Sequence, residues 1–339
     1  MERKSMKKLF ILFVIMGAIA IGFGLFYYSK YQDFLSTPVF QNNTIVNIKK
    51  GQSFRKFTQK LRDNKANGNE WHWRVFAKIE SVGAWLKAGE FQIDAGLTPM
   101  QMMRKIKENK VMTYQFTIVE GMNWRELKYK LLDDSTLLHT LNDIDDEQLL
   151  DAIDSDKNIP EGLFLPETYQ FVRGDSDVDI LKRAHKSLKQ ELQKHWQLKK
   201  ANLPYKNTYE MLTMASIVEK ETSQANEREI IAGVFVRRLQ TNMRLQTDPT
   251  VIYGLGESYD GDIKSKDLKT DTPYNTYTRK GLTPTPIAMA SIESIAASAN
   301  PKDGKALYFV ANNRGGHYFS DTYKQHQKAV KDYLKGKKL

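Results

Sequence analysis

Hydrophobic positions along the chain form one long unbroken block followed by short alternating and helical patterns. From Leu9 to Tyr28 (LFILFVIMGAIAIGFGLFYY) no residue carries a charge. As a helix rising about 1.5 Å per residue, this run spans the roughly 30 Å of a bilayer's hydrocarbon. Arg3, Lys4, Lys7 and Lys8 precede the run, and only Lys30 follows closely. The positive-inside rule therefore keeps residues 1–8 as a cytoplasmic tail and sends the chain after residue 30 across, with Tyr27 and Tyr28 at the far interface. The block is longer than the apolar core of a secretion signal, and no small-residue cleavage pattern follows it, so the pattern predicts an uncleaved anchor over residues 9–28.

Beyond a polar stalk, Ser29 to Gln41, Thr44 to Ile48 alternates as a strand does. Gly51-Gln-Ser53 then opens a helical spacing through Phe54, Phe57 and Leu61. Thr98-Pro99 reads as an N-cap followed by proline in the first turn, starting a helix that carries Met102, Met103 and Ile106. These elements delimit a small α+β module over residues 38–112. Strand-like Tyr114 to Val119 ends at Glu120-Gly121, and Asn123-Trp-Arg-Glu126 has capping-box spacing. A larger α+β domain, residues 113–339, follows. Within it, Asp179 to Leu198 is a basic amphipathic helix whose patch is broken by Asp179 and Glu191, which reads as a solvated face. Thr285-Pro286 predicts a helix ending at Asn300-Pro301. Leu307 to Ala311 and His317 to Ser320 flank the five-residue turn Asn312-Asn-Arg-Gly-Gly316 as a hairpin, with a last helix running to Leu334.

Composition changes this picture in two ways. The formal charge of +11 falls to 46 − 39 = +7 once residues 1–30 are set aside, an excess that suits an anionic partner without naming one. The absence of cysteine excludes disulfides and thiolate metal sites and suits an oxidising envelope compartment. No H-E-x-x-H, Walker A, G-x-S-x-G or G-x-G-x-x-G occurs, and the six histidines are scattered. No metal or organic cofactor is therefore expected. The basic residues carry no nucleic-acid-binding signature, so no nucleic-acid partner is expected either. His317, beside the hairpin turn, reads as a structural residue.

Candidate chemistry gathers in the second half of the chain. In Thr208 to Thr222 (TYEMLTMASIVEKET), Met211, Met214, Ala215, Ile217 and Val218 share one helical face. With Met214 at zero, Glu221 falls near 340° on that face, whereas Glu219 lies near 140° and Lys220 near 240° at about 100° per residue. An acid on an apolar face is held towards its neutral form, as a general acid must be; the same residue at a helix end could also only reach water or an ion pair. Leu245 to Gly254 and Thr272 to Thr278 are dense in amide, hydroxyl and phenol groups suited to sugar hydroxyls and pyranose faces. Gln246, Asp248, Tyr253, Asn275 and Tyr277 are the candidate substrate-binding residues among them.

The strings Met214 to Thr222, Arg244 to Gly254, Tyr274-Asn-Thr-Tyr277 and Tyr308-Phe-Val…Gly315-Gly-His317, with Lys87-Ala-Gly89 and Val119-Glu-Gly-Met122, resemble the endolytic murein transglycosylase (MltG, or YceG-like) family in order and spacing. The N-terminal anchor fits, and residues 44–112 resemble that family's LysM-like region. The resemblance implies a single-pass inner-membrane enzyme with a periplasmic catalytic domain that cuts nascent peptidoglycan strands internally, leaving 1,6-anhydro-N-acetylmuramic acid ends. It assigns the catalytic role to Glu221, and implies peptidoglycan synthases and division or elongation proteins as neighbours. A hydrolytic muramidase using Asp248, and a glycan-binding scaffold with an idle Glu221, fit the same residues.

Overall fold

The computed structural model describes residues 2–338, so Met1 and Leu339, the outermost residues of the expected tail and catalytic domain, lie outside the described residues. The chain folds into two compact units, one running through Tyr114 with Val172–Gly174, the other comprising Gln115–Phe171 and the chain from Asp175 onward. Helices dominate both, and among the described residues the strands pair as two-stranded ribbons, an α+β architecture.

The first unit begins with α1 (Glu2–Ser36), whose span from Met6 is long and apolar enough to cross a membrane. Its apolar side chains from Leu9 to Tyr28 are largely exposed, as a helix facing lipid requires. The expected polar stalk is corrected here: α1 continues unbroken to Ser36, and Tyr31 and Phe34 are buried in the unit's core. Their i, i+3 spacing puts both on one side of the helix, so the residues after the apolar run are recruited into packing. β1 (Thr44–Ile48), α2 (Phe54–Asp63), α3 (Glu70–Ile79), β2 (Gly89–Ile93) and α4 (Pro99–Lys107) complete the unit. β1 and β2 pair antiparallel, with Val46 opposite Phe91. Phe57, Leu61, Trp73, Phe76, Phe91, Met102, Met103 and Ile106 fill the core between ribbon and helices. Thr98 caps α4 and forms a reciprocal box with Gln101, with Pro99 in the first turn.

The chain then passes through β3 (Thr113–Thr117), α5 (Trp124–Asp133), α6 (Asp146–Ala152), β4 (Thr168–Val172) and α7 (Asp177–Gln197), of which all but the first two residues of β3 and the last of β4 belong to the second unit. It continues through α8 (Thr208–Glu221), α9 (Arg228–Gln240), α10 (Asp248–Leu255), α11 (Ser265–Lys269), α12 (Ile292–Ala299), β5 (Tyr308–Ala311), β6 (His317–Ser320) and α13 (Tyr323–Leu334). α8 is the central element and packs on α7, α9, α10 and α12. Its residues Met211 to Val218 are buried without exception. The helix expected from Thr285 begins only at Ile292, capped by Ser291. Residues 285–290 instead run irregularly through the core because neighbouring elements bind their backbone. The Ile287 amide donates to Ser216 Oγ (3.0 Å), and that of Met289 to the Met122 carbonyl (2.7 Å). β5 and β6 form the expected antiparallel hairpin, with Ala311 opposite His317.

Candidate active site

The carboxyl of Glu221 lies where α8 stops. Thr222 turns to extended backbone (φ −149°, ψ 137°), ending the helix at the wall of a cleft of about 400 Å³. The cleft is lined by Glu221, Gln246, Thr247, Asp248, Tyr277, Tyr308 and His317, with Arg238 and His326 among its further walls. Burial drives the Glu221 pKa above its ordinary value. Thr247, which donates its hydroxyl to the carboxylate, and the nearby His317 and Arg238 oppose that rise, while Asp248 reinforces it. Desolvation prevails, so the carboxyl is biased towards carrying a proton.

The opposite wall is a loop and helix start fixed by threonines. Thr247, Thr250 and Thr276 are buried together. The Thr247 amide donates to Thr276 Oγ1 (3.1 Å), and the hydroxyls of Thr250 and Thr276 are bonded at 2.9 Å. Gln246 is held at φ +50°, a left-handed conformation that costs a non-glycine residue about 1–2 kcal/mol. Its amide donates to the Thr276 carbonyl (3.2 Å), one of the bonds that maintain this geometry. Tyr277 donates its phenol to Asp248 Oδ1 at 2.5 Å, joining the two sequence-expected segments at the cleft. Burial and the adjacent Asp248 carboxylate both raise the Tyr277 pKa, so its proton stays in that bond.

Of the six residues singled out from sequence, Glu221, Gln246, Asp248 and Tyr277 line this cleft, and two do not. Asn275 is 1% exposed. Its side-chain amide donates to the carbonyls of Asp267, Leu268 and Thr270 (3.0, 3.2 and 2.7 Å), and its oxygen accepts from the Tyr277 amide (2.8 Å). This is a correction to its expected contact with substrate: with donors and acceptor committed to the loop, Asn275 shapes the segment that carries Tyr277. Tyr253 lies outside this cleft and lines a separate cavity, its ring edge-on to Tyr274 (4.8 Å between centroids).

Several site residues escaped sequence reasoning. Arg238 is buried and donates to the carbonyls of Leu307 (2.6 Å) and Leu245 (2.6 Å), binding α9 to both the 241–247 loop and the hairpin. Its guanidinium also sits 5.1 Å from the Tyr308 ring centroid. His317, read as structural, does have a structural bond, since Nδ1 is 2.7 Å from Glu227 Oε2, yet it also lines the cleft. The buried Glu227 further accepts from the His317 amide (2.7 Å) and from the Thr222 hydroxyl (3.3 Å). One carboxylate thus links the residue after Glu221 to the start of β6. A Cβ on Gly316 would lie 2.4 Å from Glu227 Oε1, so the glycine clears space for that link. Glu219 corrects the helical-wheel argument. Its side chain is 4% exposed and accepts from the amide (2.9 Å) and hydroxyl of Ser291. Ser291 covers the side of α8 that carries Glu219, so angular position alone could not separate Glu219 from Glu221.

The family model of the YceG-like family matches residues 46–332, a span that includes every residue of this cleft. The chain belongs to the YceG-like family. Among its relatives, the "endolytic murein transglycosylase" of Bacillus subtilis is 31% identical over 310 residues, covering 86% of this chain and 85% of that protein. A protein of the same name from Streptococcus pneumoniae is 31% identical over 183 residues, 52% of this chain but 33% of the pneumococcal one. A crystal structure of a YceG-like protein from Listeria monocytogenes superposes with a TM-score of 0.52 at 29% identity, covering 85% of this chain and 99% of that one. The family thus accounts for the α+β architecture described above.

Proposed function

We propose that this YceG-like chain is an endolytic lytic transglycosylase acting on nascent peptidoglycan. The observation that carries the reading is the protonation-biased Glu221 at the end of a buried helix, opening on a cleft walled by hydroxyl, amide and phenol groups. Glu221 donates its proton to the glycosidic oxygen between N-acetylmuramic acid and N-acetylglucosamine, and the C1–O bond breaks. Positive charge at C1 is met by the substrate's own acetamido carbonyl, so no enzymic nucleophile is required. The C6 hydroxyl of the same muramic sugar then bonds to C1, its proton returning to the Glu221 carboxylate. The enzyme ends as it began, a 1,6-anhydro end is formed, and no water is consumed. Gln246, Asp248 and Tyr277 orient the strand, while Thr247 steadies the ionised form of Glu221 after proton transfer.

On this reading α1 is a single-pass inner-membrane anchor, with a cytoplasmic N-terminus and the catalytic domain in the periplasm. Residues 38–112 form a LysM-like module that supplies additional glycan affinity. Wall synthases and division or elongation proteins are the neighbours such an enzyme would need. Cleavage in oxygen-labelled water tests the reaction type. Product ends free of label support the transglycosylase, whereas label at a new reducing end makes the chain a hydrolase in which Asp248 directs water.

A further inference from the structure

A cavity of about 710 Å³ in the second unit lies apart from the cleft. Its walls include Trp124, Tyr253 and Tyr274, with two cationic side chains, Arg125 and Lys220, and two acids, the buried Glu161 and Glu126, whose carboxylate accepts from the Asn123 amide at 2.9 Å. The local chain holds these groups in place. The Trp124 amide, in the first turn of α5, donates to both Glu161 oxygens (3.2 and 3.0 Å), and its indole packs on Phe164 at 5.4 Å. Gly162 follows Glu161 at φ +76°, and a Cβ there would lie 2.4 Å from Pro286 Cβ, so the backbone beside the acid is wedged against the core. Burial lifts the Glu161 pKa to about 7. Lys220 donates to the Gly121 carbonyl (3.0 Å) and forms no ion pair among the described residues. Arg125 meets Glu257 at 3.3 Å with both side chains well exposed, a pairing worth less than about 1 kcal/mol and easily exchanged for another carboxylate.

This cavity is connected to the cleft by shared walls. Glu221 lines both the cleft and a smaller hollow of about 360 Å³, and that hollow shares Gly121 and Lys220 with the large cavity. The three hollows therefore follow one another around the C-terminal end of α8, with Glu221 at one junction and Lys220 at the next. Capping α5 explains the Trp124–Glu161 bonds, but neither the volume nor the two cations.

We propose that the large cavity is a second substrate site that takes the acidic peptide borne by the glycan strand, an inference that rests on the function proposed above. The sugars offer hydroxyls and acetamido groups, whereas the peptide on the muramic lactyl group adds free carboxylates. Arg125 and Lys220 supply charge-assisted donors for those carboxylates. Trp124, Tyr253 and Tyr274 cover the intervening apolar atoms, while Glu161, with both oxygens taken by the Trp124 amide, holds this wall in place. The enzyme thereby engages a strand by its substituent as well as by its backbone, and prefers strands whose peptides are intact.

Binding rather than turnover tests this directly. The full chain in detergent, carrying Glu221→Gln to prevent cutting, is titrated with uncrosslinked strands bearing their peptides and with the same strands stripped of peptide by an amidase. Peptide-bearing strands are expected to bind about tenfold more tightly. Adding Arg125→Gln or Lys220→Gln is expected to remove most of that difference while leaving affinity for stripped strands within about twofold. The free acidic peptide should compete for the peptide-bearing strand, less effectively as salt rises. Equal affinity for the two strands overturns the proposal, as does a preference that survives both substitutions. Cutting by the unsubstituted chain is scored in parallel. Its absence would sink the proposed reaction without erasing a peptide preference, so the two failures are distinguishable.

Discussion

Thr247 donates its hydroxyl to Glu221 Oε1 from a buried position, and valine has nearly the same shape without the donor. A hydrogen bond to a charged group contributes about 1.5–3 kcal/mol, and one pKa unit corresponds to about 1.4 kcal/mol. Thr247→Val removes a bond that favours the carboxylate, so it should raise the Glu221 pKa, already raised by burial, still further. The sign matters for catalysis. Glu221 must be protonated to act, so activity is lost as pH rises through its pKa, and the alkaline limb of kcat/KM moves to higher pH in the variant. The same bond stabilises the carboxylate formed on proton donation, so kcat on the acid plateau falls, by up to about tenfold for half of the bond's value. Full pH profiles on defined glycan strands read both effects. An alkaline limb that stays in place or moves towards acid would refute the assignment of Glu221 as the titrating acid.

Three further outcomes follow from the packing around the site. Gly316→Ala places a methyl carbon against Glu227, displacing a carboxylate that holds both the amide and the ring of His317; a loss of about 1–3 kcal/mol in thermal denaturation, with a disproportionate fall in kcat, is expected. Asn275→Ala leaves three loop carbonyls and the Tyr277 amide without their partner, so it should cost about 1–3 kcal/mol and lower activity through Tyr277, and an unchanged melting temperature would contradict its scaffold role. Glu161 ionises at about 7 when folded against an ordinary 4.5, so the native state loses stability as pH rises between those values. Glu161→Gln should then be stabilising relative to the parent by an amount that grows to about 3 kcal/mol by pH 8 and vanishes near pH 4, and a pH-independent difference would refute it.

Elements with strong local signals were legible in the sequence. The apolar run, the Thr98-Pro99 and Asn123 caps, and the hairpin around Asn312 to Gly316 each declare themselves within a few residues. Glu221 emerged from the same kind of reading, and the motif strings brought Gln246, Asp248 and Tyr277 with it. What the sequence concealed depends on contacts distant along the chain. Ser216 and Met122 hold residues 285–290 out of a helix that Thr285-Pro286 would otherwise start. Asn275 and Asp248 look equally polar in sequence, and only the loop closing on Asn275 separates a scaffold from a cleft wall. The Glu227–His317 link spans 90 residues, and no periodicity marks it. The polar stretch after the membrane run concealed Tyr31 and Phe34 because two aromatic residues among charges signal packing only when the unit they enter is known.

The central claim is that Glu221 supplies and recovers the proton that converts a glycan linkage into an anhydro end. The most direct measurement is mass spectrometry of the products formed from uncrosslinked peptidoglycan strands by the full chain and by its Glu221→Gln variant, matched for folding by thermal denaturation. Anhydro-ended fragments from the parent and none from the folded variant are the predicted result. Anhydro ends still formed by Glu221→Gln at a comparable rate, or reducing ends formed by the parent, would contradict it.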